Sequence, residues 1–121
     1  MKVVKFGGSS VANAEQISKI INIVTADEDR RIVVVSAPGK RCSEDTKVTD
    51  LLIILATAVL EDRNYEEALK AVVDRYAEIQ EDLDLPVAII ETIEADLRGR
   101  IKTRGLNDLQ FLDTMKASGE D

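Results

Sequence analysis

A short β-branched run that stops on two glycines constrains the fold of this chain more than any other feature. Lys2 to Phe6 is mostly apolar, and Gly7-Gly8 ends it in a tight turn. Asn13 to Gln16 has the N-x-x-Q spacing of a helix cap, and Ile17, Ile20, Ile21 and Val24 follow at helical intervals. Arg30-Arg31 precede a second apolar run, Ile32 to Val35, which ends at Ser36. Strand, helix and strand in so short a span form one βαβ unit, with parallel strands and a right-handed crossover. The first strand is expected to be buried, because parallel sheets carry cover on both faces.

Beyond Ser36 the pattern changes. Ala37 to Asp45 is a loop by composition, with Pro38, Gly39 and four charged residues. Thr49 is placed to cap a helix carrying Leu51, Leu52, Leu55 and Val59, apolar enough all round to be well buried. Tyr65, Leu69, Val72, Tyr76, Ile79 and Leu83 form an amphipathic stripe, too short for a coiled coil and so a core face. Pro86 suits the first turn of a further helix with Ile90, Ile93, Leu97 and Ile101 on one face. Asn107 or Asp108 begins a last helix carrying Leu109, Leu112 and Met115. Two strands followed by four helices make an unusually small parallel sheet, so the fold is expected to be incomplete.

Composition removes whole classes of chemistry. At 121 residues the chain has room for one domain with one real core. Cys42 is its only cysteine and it has no histidine, which excludes an internal disulfide, a Cys/His zinc site and both Ser-His-Asp and Cys-His catalysis. Chemistry must then rest on Lys, Asp, Glu, hydroxyls, backbone amides or a bound metal ion. The net charge of -7 makes nucleic acid a poor partner. The cluster Arg98, Arg100, Lys102 and Arg104 is expected to be a solvated helix end. Leu51 to Leu60, the longest apolar run, is broken by Thr57 and too short to cross a bilayer, so no membrane association is expected. Lys2 and Val3 lead straight into a strand pattern with no signal peptide, and a reducing cytoplasm is the expected compartment.

Four stretches have the residue types that handle charged ligands. Lys5-Phe6-Gly7-Gly8-Ser9-Ser10 places two glycines after a strand, where several backbone amides can line one concavity beside an ammonium group. Such a turn suits a polyphosphate, or is a tight connection with no ligand; spacing alone leaves both open. Ser36-Ala37-Pro38-Gly39-Lys40 lies beyond the second strand, where ligands of open α/β sheets bind, so the two loops are expected to face one crevice. It is not a P-loop, because Arg41 follows Lys40 where Ser or Thr is required. Taken alone, it is an ordinary turn. Thr49-Asp50 has the form of a helix cap, and Gly119-Glu120 that of a solvated loop end.

In order, these stretches resemble the aspartokinase family. Its opening signature, K-F-G-G-[ST]-S-V-A, matches Lys5 to Ala12 without a break. Val33 to Ala37, Thr49-Asp50-Leu51-Leu52 and Ser118-Gly119-Glu120 follow in the family's order. The resemblance implies that residues 1–121 are the amino-terminal portion of an aspartokinase catalytic domain, a partial three-layer α/β/α amino-acid kinase (carbamate-kinase-like) fold. On that resemblance the parent enzyme transfers the γ-phosphoryl group of ATP to the side-chain carboxylate of L-aspartate, giving 4-phospho-L-aspartate. This is the first step toward lysine, threonine and methionine.

The resemblance also implies roles. Lys5 holds ATP phosphate oxygens and offsets charge as the phosphoryl group moves; Gly7, Gly8 and Ser9 donate amides to the transferred phosphate. Ser36 and Thr49 lie near the bound aspartate, and Glu120 pairs with its α-ammonium group. Mg²⁺ bridges the phosphates, with no protein metal ligand assigned. The second half of the kinase domain, with the ATP lobe, and the regulatory domains are expected to be missing. The chain alone is therefore expected to be inactive, and its uncovered sheet to favour a homo-oligomer. The alternative is a non-catalytic module that binds phosphate, nucleotide or another protein.

Overall fold

A computed structural model describes residues 1–105 and 107–121. β1 (Lys2–Phe6) and β2 (Arg30–Val35) pair in parallel, with Phe6 opposite Val35, and α1 (Ala14–Thr25) connects them. The helix starts where its sequence predicts. Asn13 is extended, and its side-chain oxygen accepts the Gln16 amide at 3.0 Å, which satisfies a first-turn donor.

Four helices follow: α2 (Val48–Leu60), α3 (Glu66–Asp82), α4 (Ala88–Ile101) and α5 (Asp108–Ala117). They contain nearly all of the core. Val48, Leu52, Leu55, Leu69, Val72, Leu97, Phe111 and Met115 are sealed from solvent, and among the described residues Ala37 is the one member of their cluster from outside the helices. Among the described residues, no helix is long and apolar enough to cross a membrane.

The strands differ from expectation. Val3 is 63% exposed, and Ile32, Val33, Val34 and Val35 are all exposed as well. Among the described residues α1 is the only helix with substantial footing on them, so the sheet lacks the two-sided cover that makes parallel strands apolar. The apolar side chains are present; what would bury them is not among these residues.

Four local expectations are also corrected. Thr49 does not cap α2. Lys47 takes that place with no side-chain bond, and the Val48 amide is taken by the Pro38 carbonyl at 2.9 Å, so Thr49 falls inside the first turn. Pro86 stands just before α4, where its carbonyl accepts the Ile89 amide. In α5 the Asn107 cap turns Phe111 and Met115, four residues apart, into the core and leaves Leu109 70% exposed. The basic cluster is not simply solvated. Arg98 forks onto Glu66 (2.9 and 3.0 Å), Arg100 reaches Asp96 (2.8 Å) and Asp121 (2.7 Å), and Arg104 holds Asp62.

Candidate functional site

The site is built around the double-glycine turn. Gly7 is extended (φ −74°, ψ 175°), and Gly8–Val11 make one 3₁₀ turn, closed by the Ser10 amide donating to the Gly7 carbonyl at 3.0 Å. Among the described residues, the amides of Gly7, Gly8 and Ser9 donate to no protein group. Three successive amides without partners form a concavity that suits an anion. Lys5 lies on the strand just before them, opposite Val34, exposed and free of ion pairs with the described residues.

The loop after β2 is the hub. The Ser36 amide donates to the Phe6 carbonyl (3.1 Å), and the Gly39 amide donates to the Gly8 carbonyl (2.8 Å). The two loops meet backbone to backbone, because a Cβ on Gly8 would lie 2.9 Å from the Ala37 oxygen. On its other side, Ala37 packs against Gly119, where a Cβ would come within 2.8 Å of the Ala37 methyl. The Pro38 carbonyl holds the start of α2, as above. The glycine turn and Gly119 therefore touch residues 37–39 directly, and Thr49-Asp50 is linked to them through the neighbouring Val48.

They do not form one pocket. A cavity of about 610 Å³ opens between α1, α3, α4 and the C-terminal residues. Its wall is mostly apolar and includes Ile17, Ile20, Ile79 and Ile93, with Ser36, Asp96 and Glu120 among its polar groups. Ser36 and Glu120 thus share a cavity, whereas Lys5, Gly7, Gly8, Ser9 and Thr49 lie outside its wall.

The sequence matches the family described as "Amino acid kinase family" over residues 1–116. The chain belongs to that family. It is 53% identical to Aspartokinase 3 of Bacillus subtilis over 121 residues, which is 100% of this chain and 27% of that protein. It is 31% identical to the aspartokinase of Chlamydia pneumoniae over 119 residues, 98% of this chain and 24% of that one. The crystal structure of Clostridium acetobutylicum aspartate kinase shares the fold with a TM-score of 0.82 and 31% identity, covering 97% of this chain and 26% of that one. E. coli aspartokinase III in complex with aspartate and ADP gives a TM-score of 0.69 and 28% identity, over 98% and 26% of the two chains. The chain spans about a quarter of the length of these relatives.

Within the amino acid kinase family's fold, two functional-site neighbours escaped the sequence reading. Arg75 is buried on α3 and bonds to the loop carbonyls of Thr46 (2.8 Å), Gly39 (2.9 Å) and Ala12 (3.3 Å). Burial lowers its pKa from the ordinary guanidinium value. Its signal was present: Arg75 stands three residues after Val72 and four before Ile79, on the buried stripe itself. The next residue, Tyr76, was counted as core, but its hydroxyl donates to the Gly119 carbonyl at 3.1 Å, and burial pushes its phenol up to about 12. The hydrogen bonds of Arg41 hold the Asp45 carboxyl well below the usual carboxylate range. Among the described residues, no three His, Cys, Asp or Glu side chains gather into a metal-holding group.

Proposed function

We propose that the chain is the amino-terminal portion of an aspartokinase catalytic domain and supplies the phosphate-binding turn and part of the aspartate site. In the reaction, a side-chain carboxylate oxygen of L-aspartate attacks the γ-phosphorus of ATP and ADP leaves, giving 4-phospho-L-aspartate. The observation behind this reading is the set of free amides at Gly7, Gly8 and Ser9, hydrogen-bonded through Gly8 to a loop that packs against Gly119. These amides receive the phosphate being transferred, where fixed donors stabilise the growing charge. Lys5, which makes no ion pair with the described residues, takes the neighbouring phosphate oxygens. Ser36 and Glu120, in the shared cavity, hold the aspartate, with Glu120 on its ammonium group; Thr49, assigned to the same substrate by the resemblance, stands outside that cavity's wall. Mg²⁺ would arrive on the nucleotide phosphates and offset their charge, as phosphoryl transfer demands.

The chain binds but does not turn over. Orienting both reactants is worth roughly 7–11 kcal/mol of barrier, and a cleft with an uncovered sheet cannot orient them. The exposed apolar strands also support self-association. The test is ATP titration by calorimetry. Lys5→Ala should weaken binding at least ~10-fold, because one charge-assisted contact is worth roughly 1.5–3 kcal/mol. Equal affinity of Lys5→Ala and the unaltered chain refutes the role given to Lys5, and no ATP binding at all refutes the site.

A second reading, a non-catalytic binding module, is favoured by one further similarity. A Haemophilus influenzae protein named putative inactive aspartokinase 3 is 42% identical over 59 residues, 49% of this chain and 43% of that protein. Adding a separate polypeptide that corresponds to the rest of the Bacillus subtilis relative decides between them. Formation of aspartyl phosphate supports the kinase reading, and its absence despite complex formation supports the module.

A further inference from the structure

One buried side chain ties the turn before α1 to both ends of the loop between β2 and α2. The guanidinium of Arg75 is 5% exposed, and its three carbonyl partners belong to the turn entering α1 (Ala12), the loop after β2 (Gly39) and the segment entering α2 (Thr46). Asp45 meets its charge at 3.4 Å and is itself gripped by Arg41 at 2.7 Å. Each carbonyl flanks a residue of the candidate site. Ala12 ends the segment that begins at the glycine turn, Gly39 bonds to Gly8, and Thr46 lies three residues before Thr49. A planar fork meets several oxygens at fixed spacing, which a lysine ammonium on a flexible stem does not.

The geometry also argues against a purely stabilising role. The Arg75 Nε is buried without a partner among the described residues. An unmatched donor and a desolvated charge are penalties, and a well-packed apolar side chain at such a position is often at least as stable. What an apolar side chain cannot do is set the distance between three carbonyls. Tyr76, the adjoining residue, holds Gly119 on the other flank, so this turn of α3 grips both sides of the site.

We propose that Arg75 is a positioning residue for the phosphate-binding turn. By fixing Gly39 relative to Ala12 it keeps the Gly39–Gly8 hydrogen bond closed, and with it the arrangement of the Gly7, Gly8 and Ser9 amides. The proposal rests on the functional reading above for its ligand, ATP, but not for the loop geometry.

Arg75→Lys tests it in the 121-residue chain through two readouts. Hydrogen exchange at the Gly39 amide should rise at least ~10-fold while the core amides of α2 to α5 keep their protection, a local rather than global opening. ATP affinity should fall ~10-fold, the change expected when a binding-competent arrangement drops to about a tenth of the population. Unchanged Gly39 exchange overturns the proposal, and so does faster exchange with unchanged ATP affinity. If the unaltered chain binds no ATP, the functional reading is what fails, and Gly39 exchange alone decides on Arg75. Should Arg75→Lys not fold, Asp45→Asn removes the carboxylate that orients the guanidinium and leaves Arg75 in place. The same two readouts then apply, with smaller changes in the same direction expected and no change overturning the proposal.

Discussion

Gly39→Ala probes the contact on which the site depends. A Cβ at Gly39 would lie 2.7 Å from the Gly8 carbonyl carbon, 2.9 Å from the Ser9 nitrogen and 3.0 Å from the Gly8 oxygen, where ordinary contact begins at 3.4 Å. All three are backbone atoms, so no change of rotamer relieves the clash. Gly39 has no positive φ, which means it is required for space and not for conformation. The loops must part by several tenths of an ångström, and the 2.8 Å bond from the Gly39 amide to the Gly8 carbonyl is lost or badly stretched. A lost hydrogen bond costs about 0.5–1.5 kcal/mol and overpacking about 1–3 kcal/mol, so Gly39→Ala should destabilise the chain by about 2–4 kcal/mol. Gly7→Ala is the matched control. Its added methyl meets nothing within 4 Å, and its φ of −74° suits alanine. That variant should stay within about 0.5 kcal/mol of the unaltered chain. Urea unfolding followed by circular dichroism measures both. Equal stability of Gly39→Ala and the unaltered chain, or equal damage from the two substitutions, would refute the close approach of the two loops.

Three further outcomes follow from packing and charge. Phe111→Ala should cost about 3–5 kcal/mol, while Leu109→Ala should change stability by no more than about 0.5 kcal/mol, which checks the face of α5 that is buried. Asp45 binds a proton less readily folded than unfolded, so its contribution is full above about pH 4 and drains away as pH falls below that. Thermal midpoints should therefore drop on acidification and drop less steeply in Asp45→Asn. Tyr76 has the opposite sign: its stabilisation is full below about pH 10 and is lost as pH rises toward its folded value of about 12. Tyr76→Phe should flatten that alkaline loss in a melting series and cost about 0.5–1.5 kcal/mol near neutrality, through the missing bond to Gly119.

Elements written in local chemistry were legible before any coordinates. The βαβ unit followed from two apolar runs around a capped helix, and the Asn13 cap is present with the expected Gln16 amide. The first two loops were expected to face one crevice; they touch through the Gly39–Gly8 bond, but the cavity is lined by Ser36 and Pro38 and by no residue from Lys5 to Ser10. What failed depended on partners distant in sequence. Burial of Val3 and of Ile32 to Val35 depends on elements that cover a sheet, and composition cannot say whether a given stretch contains them. The start of α2 is set by a backbone bond to Pro38, invisible to a rule that looks for a hydroxyl at the cap. Phe111 was passed over for Leu109 because the phase of a three-turn helix shifts with its first residue. Arg75 was missed because a charge on an apolar stripe is normally read as the stripe's edge, and only the loop carbonyls around it show why it is buried. Among the predicted site residues, Ser36 and Glu120 share a cavity, and the glycine turn stands beside it with its own unmatched donors.

Amide chemical shifts of the 121-residue chain during titration with MgATP test the central claim most directly. Saturable shifts at Gly7, Gly8 and Ser9, weakened in Lys5→Ala, are the result required by three donors and an ammonium group that have no partners among the described residues. Binding that leaves those three resonances in place contradicts the account, whatever its affinity.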